Sequence, residues 1–205
     1  PNPGAPTLPE PGFRKMTLGS MEVYAINDGA LRRPLGDEFV RNAPLEQVKA
    51  LLAAQNLPTD YVDIPFTPYL IVSGGTKFLI DTGFADNGPP TTGKLRANMA
   101  AAGHKPEEIN HVILSHFHGD HINGAFQNAR RVLGKIPANK LVRFEAGAEV
   151  APGIQSVAAH GHTPGMCVFT VRSQGQSFMY TAAVTNVPSL FARSPDWAVT
   201  FDMDP

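Results

Sequence analysis

The chain has 205 residues, with 17 Lys and Arg against 18 Asp and Glu, for a formal net charge of −1. No basic excess is available to neutralise a phosphate backbone, which argues against nucleic acid as a partner, and the single cysteine, Cys167, excludes an internal disulfide and a multi-cysteine zinc site. No apolar run approaches the ~18 residues that a membrane-spanning helix needs, and the length suits one domain with its own core.

Pro1–Gly12 holds five prolines and no amphipathic period, so an extended, mobile arm is expected there. A lead of this kind fits a periplasmic or secreted protein whose export signal has been removed; it fits a plain tail on a cytoplasmic protein as well. The expected division is an extended Pro-rich arm over 1–20 and a single domain over 21–205.

Met21–Asn27 reads as a strand that meets the turn pair Asp28-Gly29. Pro44–Asn56 places Leu45, Val48, Leu51 and Leu52 on one helical stripe, with Pro44 suited to the first turn. Tyr69–Ser73 and Lys77–Asp81 are β-type runs joined by Gly74-Gly75-Thr76, the pattern of a hairpin. Thr92–Ala102 carries Leu95, Met99 and Ala102 at helical spacing, and Gly103 follows as a stop. His111–Ser115 is a short apolar run of the buried-strand type. A short helix is expected over Ala125–Leu133, then strands over Leu141–Glu145, Ile154–Ala159, Cys167–Arg172 and Ser177–Thr181. Two sheets covered by outer helices, in one layered α/β (α+β) domain, satisfy this order.

The chemistry concentrates in Ser115-His116-Phe117-His118-Gly119-Asp120-His121. Three of the chain's seven histidines and a carboxylate follow directly on a buried-type strand. His116 and His118 are two apart, so in extended chain their imidazoles share a face and reach one ion. Asp120 and His121 lie beyond, where a turn or helix start can aim them at a second position. Neutral imidazole and carboxylate suit zinc and its first-row neighbours, whereas Mg²⁺ or Ca²⁺ would need more oxygen ligands.

This HxHxDH run after an apolar strand resembles the signature of the metallo-β-lactamase superfamily. Two further segments match in order: Phe78-Leu79-Ile80-Asp81-Thr82-Gly83 is similar to the family's LIDTG segment, and Gly161-His162-Thr163-Pro164-Gly165 to its GHTPG loop. The resemblance runs from about Met21 to Asp204. It implies a four-layer αββα sandwich with metals at one edge of the two sheets. It also implies that His116, His118 and His162 bind the first metal and Asp120 and His121 the second. Zinc-activated water would then be the nucleophile, Asp120 would be catalytic by orienting that water and moving its proton, and Asp81 would support the ligands from behind. One or two zinc ions are expected, with another first-row divalent metal as the substitute.

The chain departs from the family pattern in three places. Ala183, in Tyr180-Thr181-Ala182-Ala183-Val184-Thr185-Asn186, stands where relatives carry an Asp that bridges both metals. The family's last metal-binding His, from a C-terminal segment, has no match before Pro205. The stretch between His121 and His162 is shorter than relatives carry, and Gly124-Ala125-Phe126 reads as a join. His160 or Asp202 are the residues that could fill the gap at the second position.

Other residues have plainer expectations. His160 is a loop residue, His104 follows a helix stop, His111 begins a strand, and Cys167 is a small buried hydrophobe. Trp197, Phe191 and Phe201 fit core packing as well as a pocket wall.

Within the superfamily the arm, the helix Gly93–Gly103 and the continuation His121–Ala125 resemble the methyl parathion hydrolase and lactonase-like branch. The resemblance implies a metal-dependent hydrolase of lactones, esters or phosphotriesters, impaired by Ala183. The alternatives are an inactive metal-binding scaffold and, after that, a β-lactam or thioester hydrolase. The expected partner is a small-molecule substrate, without nucleic acid or membrane, and a homodimer is a possible assembly.

Overall fold

Period-two alternation decides which way each central strand faces. The strands are β1 (Phe13–Leu18), β2 (Met21–Ile26), β3 (Gly29–Pro34), β4 (Tyr61–Phe66), β5 (Tyr69–Ser73), β6 (Thr76–Ile80) and β7 (His111–Ile113), then β8 (Glu149–Ala151), β9 (Ile154–Ala158), β10 (Cys167–Ser173) and β11 (Gln176–Tyr180). The helices are α1 (Leu45–Ala53), α2 (Leu95–Ala101), α3, helical over 119–124, and α4 (Pro188–Phe191). The structure is a computed structural model and describes residues 4–124 and 141–203. The helix expected over Ala125–Leu133, and the join expected after Gly124, lie outside the described residues.

Among the described residues three sheets result: β1-β2-β5-β6-β7, β11-β10-β9-β8, and the two-stranded ribbon β3-β4. Val23, Ile71, Phe78 and Ile80 of the first sheet meet Ile154, Cys167, Phe169 and Val171 of the second in one apolar cluster. The intervening residues Tyr24, Ile26, Leu70 and Leu79 face the other way and pack on Leu95 and Met99 of α2. Each such side chain contributes ~1.5–3 kcal/mol by leaving water, and a one-residue slip would turn every one of them to the wrong face. A second body of core joins Phe39, Val48, Leu52, Val62, Leu190, Phe191 and Val199 around the ribbon, α1 and α4. Trp197 and Phe201 pack against its edge, the core role weighed for them from sequence.

Two expectations change here. β1 lies inside the residues assigned to the arm and pairs antiparallel with β2 from Phe13↔Ile26 to Leu18↔Met21, so the first sheet begins at residue 13. Leu18 is its single buried residue, which leaves an edge strand with almost no hydrophobic pattern to read. Leu141–Glu145 forms no strand; Leu141 and Val142 are exposed, so that apolar pair has no sheet to face. No described helix is long and apolar enough to cross a membrane.

β6 and β7 are parallel, with Phe78↔His111 and Ile80↔Ile113 in register. Their C-terminal ends therefore emerge side by side, and the residues that follow, Asp81 and Ser115-His116, start from the same sheet edge. That edge carries the site.

Candidate metal centre

Asp81 is the hub. It follows β6 with φ of 59°, a left-handed conformation that a non-glycine residue holds only when its surroundings over-determine it. Here they do. Oδ1 accepts the Ser115 N–H at 2.8 Å, and Oδ2 accepts from Ser115 Oγ at 2.7 Å, His121 Nδ1 at 2.7 Å and Tyr180 Oη at 2.7 Å. The next loop is fixed from the other side: buried Asp28 accepts the N–H of Phe84 at 2.8 Å and of Leu95 at 3.0 Å. Gly83, at φ 67°, passes so close to that carboxyl that a Cβ would lie 2.4 Å from its carbon.

His116 and His118 lie on the extended stretch after β7, and α3 begins at residue 119. The His118 carbonyl accepts the N–H of His121 and of Ile122, the first bonds of that helix. Asp120 and His121 therefore sit on its first turn, the strand-end and helix-start division expected from the spacing. The N–H and hydroxyl of Thr82 both donate to the His121 carbonyl, at 2.7 and 3.0 Å, which ties the helix to the loop after β6.

Among the described residues, His116, His118 and His162 each offer one ligand atom, all within 4.8 Å of one another. Hydrogen bonding selects the tautomer of His116. Ser115 Oγ lies 2.7 Å from Asp81 Oδ2 and 3.0 Å from His116 Nδ1. A carboxylate only accepts, so the hydroxyl proton goes to Asp81, and Ser115 Oγ accepts from His116 Nδ1–H. Nε2 of His116 is then a bare lone pair, and it is buried without a hydrogen-bond partner. An orphaned buried acceptor costs ~1–3 kcal/mol; a cation beside it removes that cost. Burial, then the charge of His121, pushes the His116 pKa down to about 3. Burial and His162 push His118 down as well. These are neutral donors, as a first-row divalent ion requires.

Asp120 and His121 form a second unit beside this triad. His121 Nε2 lies 3.0 Å from Asp120 Oδ2 while Nδ1 faces Asp81. Burial opposes a charge on His121, but the hydrogen bonds to Asp120 and Asp81 outweigh it and raise its pKa to about 9. Burial likewise pushes Asp120 up, and the hydrogen bond and charge of His121 more than reverse it, leaving the carboxyl below its ordinary range. A cleft of about 200 Å³ opens over this pair, floored by Asp81, Asp120 and His121. Phe66, Tyr69 and Met179 wall it, with Ala183 among its lining. Ala183 lies on the one-turn helix Ala182–Thr185 and presents only a methyl group.

The other expectations sort as follows. His160 is exposed, its Nδ1 bonded to the Pro164 carbonyl, and it stands outside the triad. Asp202 contacts His162 Nδ1 at 2.8 Å, so it serves the triad rather than the second position. His111 stacks on Phe78 with ring centroids 5.1 Å apart. Cys167 is buried in the inter-sheet core. Sequence reasoning gives Ser115 and Tyr180 no role; the flanking position of Ser115 was the one available signal, and Tyr180 had none.

Residues 67–132 match the profile of the Metallo-beta-lactamase superfamily. An N-acyl homoserine lactonase of Bacillus sp is 27% identical over 146 residues, with 53% of this chain and 58% of that protein covered. The chain thus spans little more than half the length of that relative. Among solved structures, the dizinc quorum-quenching lactonase AidC superposes with a TM-score of 0.82 at 23% identity, covering 94% of this chain and 81% of that one. The hydrolase AbOPH gives a TM-score of 0.79 at 20% identity, covering 95% and 81%. The profile match falls on the segment that carries Asp81 and His116–His121, and the fold neighbours cover nearly the whole chain: over that segment the chain is similar to the Metallo-beta-lactamase superfamily, and in fold to these hydrolases.

Proposed function

We propose that this domain is a zinc-dependent hydrolase acting on lactones, esters or phosphotriesters, weakened by Ala183. The observation that carries the proposal is the buried, unpartnered Nε2 of His116, set beside the imidazoles of His118 and His162. His116, His118 and His162 would hold one ion, and Asp120 with His121 would flank a second. A cation there supplies Lewis acidity toward a substrate oxygen and toward water. The chain's own residues do the rest. Asp120 orients water and accepts a proton at its carboxylate, His121 and Asp81 hold that carboxylate and its helix in place, and Phe66, Tyr69 and Met179 give the open cleft apolar walls. The lactonase relative supports a cyclic ester as one substrate class, and the mixed apolar walls suit an uncharged electrophile.

Ala183 favours a second reading, a metal-binding scaffold with no turnover, because the cleft wall supplies no carboxylate opposite Asp120. Metal analysis after dialysis, combined with a panel of lactone, aryl ester and phosphotriester substrates, separates the two. We expect about one zinc retained per chain and slow hydrolysis of at least one class, with Ala183→Asp raising both zinc content and rate. Zinc retention with no turnover before and after Ala183→Asp selects the scaffold. Loss of all zinc on dialysis overturns the metal reading itself.

A further inference from the structure

The segment after α4 does more than finish the second core. Val199 bridges Val40, the Arg41 N–H donates to the Ala198 carbonyl at 2.8 Å, and the Thr200 N–H donates to the Phe39 carbonyl at 3.1 Å. Side chains lock the same strip: Arg41 to the Thr200 carbonyl at 2.7 Å, Asn42 to the Asp196 carbonyl at 2.7 Å, and the Phe201 ring edge-on to buried Phe39 at 5.9 Å. Directly after this anchor the chain reaches the triad. Asp202 Oδ1 lies 2.8 Å from His162 Nδ1, and the Met203 N–H meets the His162 carbonyl at 3.4 Å. Nδ1 is the far side of the ring, because Nε2 of His162 faces His118 Nδ1 at 2.9 Å.

We propose that Asp202 is a positioning residue for His162: its carboxylate holds the proton on Nδ1 and thereby keeps Nε2 free for the ion shared with His116 and His118. The proposal rests on the metal reading for its consequence, but not for its geometry. A carboxylate accepts only, so the pair at 2.8 Å requires the proton on Nδ1. The opposite tautomer would place a lone pair against a carboxylate and an N–H toward the triad. Partners of this kind fix the ring and raise ligand basicity, and their loss typically costs ~10–100-fold in metal affinity. Met203 holds the His162 backbone from the same strip, so side chain and main chain are set by one anchored segment. His162 therefore takes its orientation from the second core rather than from the sheets that carry His116 and His118.

The test is the imidazole nitrogen spectrum of the metal-free protein, in wild type, Asp202→Ala, Asp202→Asn and Asp202→Leu. In wild type His162 is expected as the Nδ1–H tautomer, with an unprotonated Nε2. Asp202→Ala should mix the tautomers and weaken zinc binding, by competition with a chromophoric chelator, by ~10–100-fold. Asp202→Asn retains an acceptor oxygen and should restore the tautomer and most of the affinity, whereas Asp202→Leu fills the space without an acceptor and should restore neither, which a merely space-filling role would not predict. A wild-type His162 protonated on Nε2 overturns the proposal even if no variant folds. An unchanged tautomer in Asp202→Ala overturns it too. A wild type that binds no zinc yet shows the expected tautomer shift defeats the metal reading and leaves the positioning role standing.

Discussion

Ser115 decides which nitrogen His116 presents. Ser115→Ala removes the acceptor for Nδ1–H and one of the donors that hold Asp81 Oδ2. Zinc affinity should fall by ~10–100-fold, and stability by ~1–3 kcal/mol because a buried hydrogen bond to a charged group is lost. Ser115→Thr keeps the hydroxyl and should recover both; chelator competition and urea unfolding check the pair. That His116, His118, Asp120 and His121 gather at one sheet edge was legible, because strand and helix spacing place them together within one short run. Asp81 and His162 were reached by resemblance. Tyr180 and the part played by Asp202 were not legible, since Tyr180 meets Asp81 across 99 residues of chain and Asp202 meets His162 across 40. Contacts of that span follow from topology, and no local pattern encodes them.

At the level of elements, α3 carries Asp120 and His121 and is seated by backbone contact with the loop after β6. The Gly124 N–H donates to the Gly83 carbonyl at 3.0 Å, and a Cβ at Gly124 would lie 2.1 Å from the Thr82 carbonyl oxygen. Gly124→Ala must therefore push the helix away from the loop. We expect a loss of ~1–3 kcal/mol, as for other overpacked positions, with a larger proportional loss of zinc affinity than of stability; calorimetry and zinc titration of the same sample read the two. Strands that read as apolar, strand-like or weakly alternating runs between turn residues, β2, β5, β6, β10 and β11, were readable from sequence. The ribbon was not: β3 contains Arg32, Arg33 and Pro34, and β4 contains Asp63 and Pro65, residues that argue against a strand. Arg32 and Asp63 pair through both oxygens at 2.8 Å across that ribbon, while Val62 and Ile64 of β4 turn its apolar face to the second core.

Across the whole molecule, two separate cores meet at the site. Phe39 is fully buried in the second core and touches Phe201; Phe39→Ala should cost ~3–5 kcal/mol and loosen the segment that reaches His162. Urea unfolding followed at both Trp197 and the triad imidazoles reads both effects. His104 adds to the acid sensitivity that the depressed His116 and His118 already impose. His104 is buried with both ring nitrogens unpartnered, edge-on to Tyr24 at 4.6 Å, and influenced by the charges of Lys77, Glu108, Glu22 and Lys15. Burial, then Lys77, lowers its pKa below the ordinary value. Its contribution is complete above the unfolded pKa of ~6.5 and is lost as pH falls toward the depressed folded value, where the unfolded chain alone binds the proton. His104→Leu should flatten the fall in urea midpoint between pH ~7.5 and ~5.5; parallel slopes in the two proteins would show that His104 does not contribute. The clustering of His116, His118 and His121 in one short run has a consequence for the denatured chain. That run remains a chelate after the fold is lost, and only His162 is brought to it by folding. On the proposed metal reading zinc would bind both states, and its protection against heat should fall short of the value set by native affinity alone. Refolding in excess zinc starts from a chain already clasped at one point.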